Sequence, residues 1–186
     1  MATIFTHALV GGTVAYTLFE PLNFSDKDKF KFYLLMSLLP IVPDFDYVGY
    51  LFRVPYESFW GHRGFTHSIL FSAILAWIAL LFVFYNKAKK EPFIHKTKIY
   101  IIFFLTTLTH ATLDAMTNGG LGIAFYSPFN IIRYFFNYRP IKVSPMGIHF
   151  FSERGLMVLV SELYWVWIPC LFFVSLKKIY VLSKKK

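Results

Sequence analysis

The chain has 186 residues, of which 56% are hydrophobic and 21% aromatic, and its formal net charge is +9. A soluble domain of this length could not bury so much apolar surface, because a small domain has little interior for its outer area. We therefore expect lipid to cover the excess, and basic loops at the membrane surface, not nucleic-acid binding, to account for the charge. Cys170 is the only cysteine, which excludes an intramolecular disulfide and a cysteine-rich zinc site.

Five hydrophobic segments predict an all-α fold, a transmembrane helical bundle that forms one integral membrane domain over residues 1–186. In chain order the segments are 4–22, 30–42, 68–85, 99–116 and 156–176. The second is short and ends at Pro40 and Pro43, whereas the third carries no charge and approaches the roughly 20 residues that a spanning helix needs. Pro169 predicts a kink in the fifth. Residues 117–155 contain many glycine, proline and aromatic residues, and we expect a long irregular loop at the membrane interface.

The distribution of lysine and arginine predicts the orientation of this bundle. The turn at 23–29 with Lys31, the loop at 86–98 and the C-terminal tail share one side, which holds 13 of the 19 basic residues. By the positive-inside rule that side is cytoplasmic, so that with five spans the N-terminus lies outside and the C-terminus inside. A second segment that is re-entrant instead of spanning would move the N-terminus to the inside.

Nine ionisable side chains gather on the outer side of this topology, although only lysines and arginines were used to orient it. They are His7, Asp44, Asp46, His62, His67, His110, Asp114, His149 and Glu153. An ionisable group at mid-depth in a membrane segment costs roughly 2.5–3.5 kcal/mol and therefore needs a partner. Imidazole and carboxylate groups are ligands for divalent metals, and their number exceeds what one tetrahedral ion takes. We therefore predict a site for one or two metal ions on this side.

The strongest pair is His110 with Asp114, because a spacing of four places both side chains on one face of a helix. The alternative for this pair is a buried hydrogen bond that only ties helices together. His149 and Glu153 have the same spacing, but their surroundings are irregular and their geometry stays open.

A second group of candidates lies in the loops before the third segment. Gly64 allows the backbone to turn between His62 and His67, so that the two imidazoles converge. Asp44 and Asp46 fit a metal site if they meet these histidines, although alone they fit a turn or a helix cap equally well.

These residues, in this order, resemble the YdjM-like family of inner-membrane metal-dependent hydrolases. The motifs that carry the resemblance are His7 with Gly11, Pro43-Asp44-Phe45-Asp46, His62-Arg63-Gly64 with Thr66-His67-Ser68, and His110 with Asp114, Thr117 and Gly119. The resemblance implies a protein of the bacterial cytoplasmic membrane that hydrolyses its substrate with metal assistance. There is a fainter resemblance to zinc-dependent phospholipase C and related nucleases. Those proteins take metal ligands from a helical His-x-x-x-Asp and a later His-x-x-x-Glu, here His110 with Asp114 and His149 with Glu153.

The sequence thus predicts a metal-dependent hydrolase of a phosphoester at the outer membrane surface, with a membrane lipid as the substrate. Zn²⁺ suits the mixed imidazole and carboxylate ligands best, and Mn²⁺ or Fe²⁺ is the alternative. One of Asp44 and Asp46 is expected to bind metal and the other to act as general base. Arg63 is expected to hold a phosphate oxygen, and Glu153 is a further catalytic candidate. The predicted metal ligands are His7, Asp44, Asp46, His62, His67, His110, Asp114 and His149.

Two other classes of protein stay open at this point. A transporter or sensor that handles metal ions or protons without hydrolysis would also carry ionisable groups in its membrane segments. A structural bundle would use the His–Asp pairs only to hold its helices together. The aromatic residues of 121–138 would serve an acyl chain or headgroup in the first interpretation, or only anchor the loop at the interface.

Overall fold

The computed structural model describes residues 1–19, 24–84, 93–145 and 147–184. Its six α-helices are α1 (Ile4–Leu18), α2 (Asp26–Leu38), α3 (Ile69–Phe84), α4 (Phe93–Ala115), α5 (Glu153–Glu162) and α6 (Ile168–Ser183). Within the described ranges the backbone forms no β-strand, only two isolated bridges, so the predicted all-α fold is confirmed.

Helix α1 begins at a threonine cap and packs closely on α2. The Thr3 hydroxyl accepts a hydrogen bond from the Thr6 N–H, which satisfies one of the open donors of the first turn. At Gly11, an added Cβ would lie only 2.0 Å from the Met36 carbonyl oxygen. The two helix backbones can therefore approach this closely only because residue 11 lacks a side chain, and this contact fixes the helix that carries His7.

Helix α2 does not end the second helical segment. Tighter 3₁₀ turns continue from Leu39 to Phe52, with Pro40 near their start and Pro43 inside them. Neither proline has an N–H to donate, so regular α-helical hydrogen bonding cannot continue through them. The predicted end of the segment at these prolines is thus a change of helix type, and the 3₁₀ turns carry Asp44 and Asp46.

The last helical segment is continuous from Glu153 to Ser183, because a π-helical turn at Leu163–Trp167 joins α5 to α6. Pro169 follows this turn directly, at the position where the sequence predicts a kink. Among the described residues, two helical stretches are long and apolar enough to cross a membrane, 26–52 and 153–183. Five spans therefore stay a prediction.

A core of aromatic side chains packs the first four helices together. The Phe32 ring stacks on Phe19 and Phe103, with centroids 4.1 and 5.6 Å apart, and Met36 and Ala76 are buried in the same cluster. The outside of the bundle is apolar as well. Large side chains on α3 and α6 are about half exposed or more, including Trp77, Phe82, Phe172 and Ile179. An apolar surface of this kind is expected where a protein faces lipid.

The predicted irregular segment between α4 and α5 folds back over one end of the bundle. The Phe136 N–H donates to the Ala115 carbonyl at the end of α4, and the Ala124 N–H donates to the Arg63 carbonyl. Ile123 and Tyr134 exchange both backbone hydrogen bonds. These contacts close the segment over the end of the bundle at which most of the candidate ligands lie.

Candidate metal centre

Four predicted ligands converge from three parts of the fold. Asp44 comes from the 3₁₀ turns, His67 from the short turn before α3, and His110 and Asp114 from α4. Each offers one ligand atom, these atoms all lie within 4.8 Å of one another, and all four side chains are buried. His7 of α1 completes the group, with Nε2 3.5 Å from Asp114 Oδ1 and its ring stacked on His110 at 4.0 Å. We call these five residues the His/Asp cluster, and it could hold a metal ion.

The two imidazoles at its centre face each other through the same ring atom. His67 Nε2 and His110 Nε2 are 2.8 Å apart. His110 Nδ1 lies 2.6 Å from the Pro40 carbonyl oxygen, and His67 Nδ1 lies 3.2 Å from Asp46 Oδ2. These oxygens only accept, so in neutral rings both Nδ1 atoms carry the hydrogen and both Nε2 atoms present lone pairs. Two lone pairs at this distance repel unless a cation lies between them.

Without metal, a proton on His67 would serve as that cation. Burial lowers the pKa of His67, but the carboxylates of Asp44 and Asp46, 3.6 and 3.2 Å from its ring nitrogens, outweigh burial and raise it to about 9. Metal binding at this cluster would therefore displace a proton from His67.

Several polar atoms of the cluster and of the adjoining Arg63 are buried without a hydrogen-bond partner. They are both ring nitrogens of His7, both carboxylate oxygens of Asp44, Oδ2 of Asp114 and Nε of Arg63. Buried polar atoms in proteins almost always have a hydrogen-bond partner, so this concentration at one point calls for an explanation. A divalent cation bound by the imidazoles and carboxylates would satisfy the acceptors among these atoms, and the residues present fit such an ion.

Asp46 differs from Asp44 in that hydrogen bonds already occupy its carboxylate. Oδ1 lies 2.7 Å from His62 Nδ1, and Oδ2 accepts from the Arg63 N–H at 3.1 Å and from the Thr66 hydroxyl at 2.5 Å. The sequence left open which aspartate binds metal, and the hydrogen bonding favours Asp44.

A second group could also hold an ion. Asp46, His62 and His67 each offer a ligand atom within the same 4.8 Å limit. The contacts of Asp46 with the Nδ1 atoms of both histidines are also typical of a carboxylate that orients imidazole ligands of a metal. His62 thus lies beside the His/Asp cluster, linked to it through Asp46.

Arg63 is buried at the edge of the cluster, and all three of its guanidinium nitrogens contact protein groups. Nε lies 3.2 Å from Asp114 Oδ2, Nη1 donates to the Gly119 carbonyl and Nη2 to the Thr117 hydroxyl. At Gly120, which has a φ of +87°, a Cβ would lie 2.5 Å from Arg63 Nη1, so a side chain there would displace the guanidinium. These contacts assign Arg63 to the positioning of Asp114, while its predicted contact with a phosphate oxygen stays a prediction.

His149 and Glu153 are not brought into the cluster. Both side chains are exposed. His149 lies in a short 3₁₀ turn, and Glu153 begins α5 after Ser152, so a change of helix type separates them. Their assignment as metal ligand and catalytic residue stays a prediction.

Glu162 is a buried carboxylate that the predicted site left out. It accepts hydrogen bonds from the Thr3 N–H at 2.5 Å, the Thr3 hydroxyl at 2.6 Å and the Thr6 hydroxyl at 2.8 Å. The Thr6 hydroxyl in turn accepts from the Trp167 indole N–H at 2.7 Å. This carboxylate holds the first turn of α1, next to His7, at a helix end where negative charge is favourable. The signal in the sequence was an acidic residue inside an apolar segment.

Arg133 is a positioning residue that sequence reasoning missed. Its guanidinium donates to the carbonyls of His62 at 2.8 Å and Tyr56 at 2.7 Å, and it lies over the Tyr56 ring. The irregular segment thus holds the loop that presents His62. Nothing in the spacing of the sequence connects positions so far apart.

Comparison with known proteins agrees with the resemblance seen in the motifs. The family model described as YdjM inner membrane protein matches residues 1–185. Inner membrane protein YbcI of Escherichia coli strain K12 is 33% identical over 133 residues, which cover 71% of this chain and 74% of that protein. No solved structure matches the chain. On these matches, which name a membrane and no reaction, the chain belongs to the YdjM family of bacterial inner membrane proteins.

Proposed function

We propose that this inner membrane protein is a metal-dependent hydrolase that acts on the phosphoester of a lipid. The observation that carries the proposal is the His/Asp cluster, in which two Nε2 atoms face each other beside the carboxylate of Asp44, which has no hydrogen-bond partner. A cluster built only to tie helices together would be expected to supply hydrogen-bond donors to the Asp44 carboxylate.

Some residues of the site bind the metal ion, and others position these ligands. His7, Asp44, His67, His110 and Asp114 hold the ion, for which we favour Zn²⁺ over Mn²⁺ or Fe²⁺. Zn²⁺ held by these residues would lower the pKa of a bound water molecule to about 7 and so supply the nucleophile for phosphoester hydrolysis.

Other side chains keep these ligands in place and handle protons. Asp46 holds the Nδ1 atoms of His62 and His67, and Arg63 holds Asp114. With Nδ1 fixed in this way, His62 keeps Nε2 for accepting or releasing a proton during hydrolysis.

The proposal includes a multi-pass topology with the cluster at the outer face and a cytoplasmic C-terminus. The positive-inside rule and the apolar outer surface of α3 and α6 support it. Single cysteines in place of Lys27, Trp60 and Asn137, in a Cys170→Ser background, test it with an impermeant thiol reagent on spheroplasts. We expect labelling at positions 60 and 137 and protection at 27. Labelling at 27, or protection of 60, would contradict the outward-facing site. A fourth position, Lys89, is expected to be protected and lies outside the described residues.

The function itself is tested by metal content and turnover of the same preparations. After supplementation with Zn²⁺, the wild-type protein should carry at least about one equivalent of metal and hydrolyse bis(4-nitrophenyl) phosphate. Asp44→Asn should lose both, whereas Asp26→Asn, on the exposed start of α2, should keep both.

Two outcomes would support the other classes. Metal flux into proteoliposomes that vanishes in His110→Ala, without hydrolysis of any phosphoester, would identify a transporter. An Asp114→Asn variant that loses stability but keeps its metal content would indicate a structural bundle.

A further inference from the structure

Two cavities that differ in polarity adjoin beside the His/Asp cluster. One has a volume of about 250 Å³ and the other about 320 Å³. Met1, Ser144 and Pro145 line both, so the cavities meet at these residues. A ligand that fills both must therefore change its chemical character along its length.

The smaller cavity is the more polar one, and Arg63 connects it to the cluster. Its lining includes Tyr56, His62, Arg63 and Arg154, and no carboxylate among the described residues. Arg63 also contacts Asp114, so that one side chain lines the cavity and touches a ligand of the proposed metal ion. Arg154 is exposed at the mouth, where its guanidinium suits an oxyanion such as phosphate.

The larger cavity is apolar and open to the side of the bundle. Its lining includes Ile4 and Phe5 of the first turn of α1 and Phe150 and Phe151 of the 3₁₀ turn Gly147–Phe151. Of these side chains, Ile4 is 50% exposed and Phe151 88% exposed. The cavity is therefore accessible to a hydrocarbon chain from outside the bundle.

We propose that the paired cavities bind an anionic amphiphile, with its phosphate group in the polar cavity beside His62 and its hydrocarbon chain along the apolar cavity. The chemical role of this binding rests on the proposed function, since His62 lies next to the cluster that would hold the metal. Binding itself does not require metal. The shared lining of the two cavities carries the proposal, because a soluble phosphoester would leave the apolar cavity empty.

Three probes separate a lipid headgroup from a free phosphate as the ligand. Dodecyl phosphate offers both parts, butyl phosphate offers the head with a short chain, and inorganic phosphate offers the anion alone. Affinities are measured by calorimetry in a bulky neutral steroid detergent. Each variant is compared with the wild type for the same probe, so partition of the probe into micelles cancels.

Blocking variants test the apolar cavity. Ile4→Trp, at a half-exposed position, should weaken dodecyl phosphate binding about tenfold and leave butyl phosphate within about twofold, because only the long chain reaches the cavity. Phe5→Trp is the second blocking variant if the first does not fold. Dodecyl phosphate that binds no more tightly than butyl or inorganic phosphate, or blocking variants without effect, would overturn the proposal.

A matched pair of arginine variants tests the polar cavity. Arg154→Gln should weaken dodecyl and butyl phosphate alike by about tenfold, since one charge-assisted contact is lost in both. Arg139→Gln, at an exposed arginine that lines neither cavity, should change neither affinity. Equal effects of the two variants would mean that general surface charge attracts the probe, and would refute the polar cavity as its site.

Failure of this proposal can be told apart from failure of the proposed function. The metal-free Asp44→Asn protein should still prefer dodecyl phosphate over butyl phosphate. If it does while the wild type hydrolyses nothing, the amphiphile site stands and the hydrolase proposal fails. If the wild type hydrolyses bis(4-nitrophenyl) phosphate but its affinity for alkyl phosphates does not depend on chain length, the hydrolase proposal stands and the amphiphile site fails.

Discussion

Two buried polar regions flank the start of α1, and they differ in whether hydrogen-bond donors contact the carboxylate. At Glu162, three donors from Thr3 and Thr6 surround a carboxylate that is completely buried. At Asp44, a carboxylate that is only 7% exposed has no hydrogen-bond donor on either oxygen. Both groups cost free energy on leaving water. Hydrogen-bond donors offset this cost at Glu162, whereas Asp44 faces only the Nε2 atoms of His67 and His110, 3.6 and 3.5 Å from its Oδ1. Burial alone thus does not distinguish these two carboxylates, whereas hydrogen-bond satisfaction does.

Removal of metal should produce the largest effect. If a cation completes the His/Asp cluster, metal at about 1,000 times its dissociation constant adds about 4 kcal/mol to the free energy of unfolding. A chelator should therefore lower the Tm of the wild-type protein strongly and leave the Tm of Asp44→Asn unchanged, as measured by differential scanning fluorimetry. If the wild type has the same Tm with and without chelator, no bound metal stabilises the His/Asp cluster. The distinction between the regions of Asp44 and Glu162 would then be lost.

Glu162→Ala should destabilise the protein nearly as much as the removal of metal, but its effect should not depend on metal. It leaves the Thr3 N–H and two threonine hydroxyls without their acceptor, each at a cost of about 1–3 kcal/mol where it stays buried. Chemical denaturation should show a loss of about 3 kcal/mol in metal-free protein. Glu153→Ala, an exposed glutamate on the same helix, is the control and should change the free energy of unfolding by less than about 1 kcal/mol. A loss that appears only with metal bound would place Glu162 in the metal site instead.

Asp46→Asn should have an intermediate effect confined to metal binding. The amide keeps the size of the side chain but weakens the hold on His62 and His67. Loss of such an orienting carboxylate typically lowers metal affinity by about 10–100-fold. Competition with a fluorescent chelator measures the change. Complete loss of metal, equal to that of Asp44→Asn, would mean that Asp46 is itself a ligand.

The smallest effect is expected for Asp44→Asn in metal-free protein. Neither oxygen of Asp44 has a hydrogen-bond partner, so replacing the charge by an amide breaks no hydrogen bond. Above a pH of about 9, where His67 is neutral, the free energy of unfolding should stay within about 1 kcal/mol of the wild type or rise, since a buried charge is removed. A loss as large as that of Glu162→Ala would show that Asp44 is structural after all.

The sequence predicted the all-α fold and the residues that the structure brings together. Ionisable residues are rare in apolar segments, so His7, His110 and Asp114 stood out against their neighbours, and lysine counts placed them on one side. The different roles of Asp44 and Asp46 could not be predicted, because hydrogen-bond partners from distant segments decide them.

Residue spacing does not predict a shared helix face where the backbone changes its helix type. His149 and Glu153 share the spacing of His110 and Asp114, but a shared face requires one uninterrupted α-helix. The chain passes from a 3₁₀ turn to α5 between the first two residues, so their spacing carries no geometric meaning. Glu162 and Arg133 act through contacts more than 70 positions away in the chain, which no local pattern contains.

The two prolines of the 3₁₀ turns have a consequence for the tautomer of a histidine on another helix. A 3₁₀ turn pairs the carbonyl of one residue with the N–H three positions later, and three positions after Pro40 stands Pro43, which has none. The Pro40 carbonyl is thereby left for His110 Nδ1, which fixes the hydrogen on that nitrogen and directs the lone pair of Nε2 at His67. Any other residue at position 43 would carry an N–H that competes with His110 for the Pro40 carbonyl. The tautomer of His110 would then be less strictly fixed. The spacing of Pro40 and Pro43 ends a regular α-helix, and it also determines the tautomer of His110, 70 residues further along the chain.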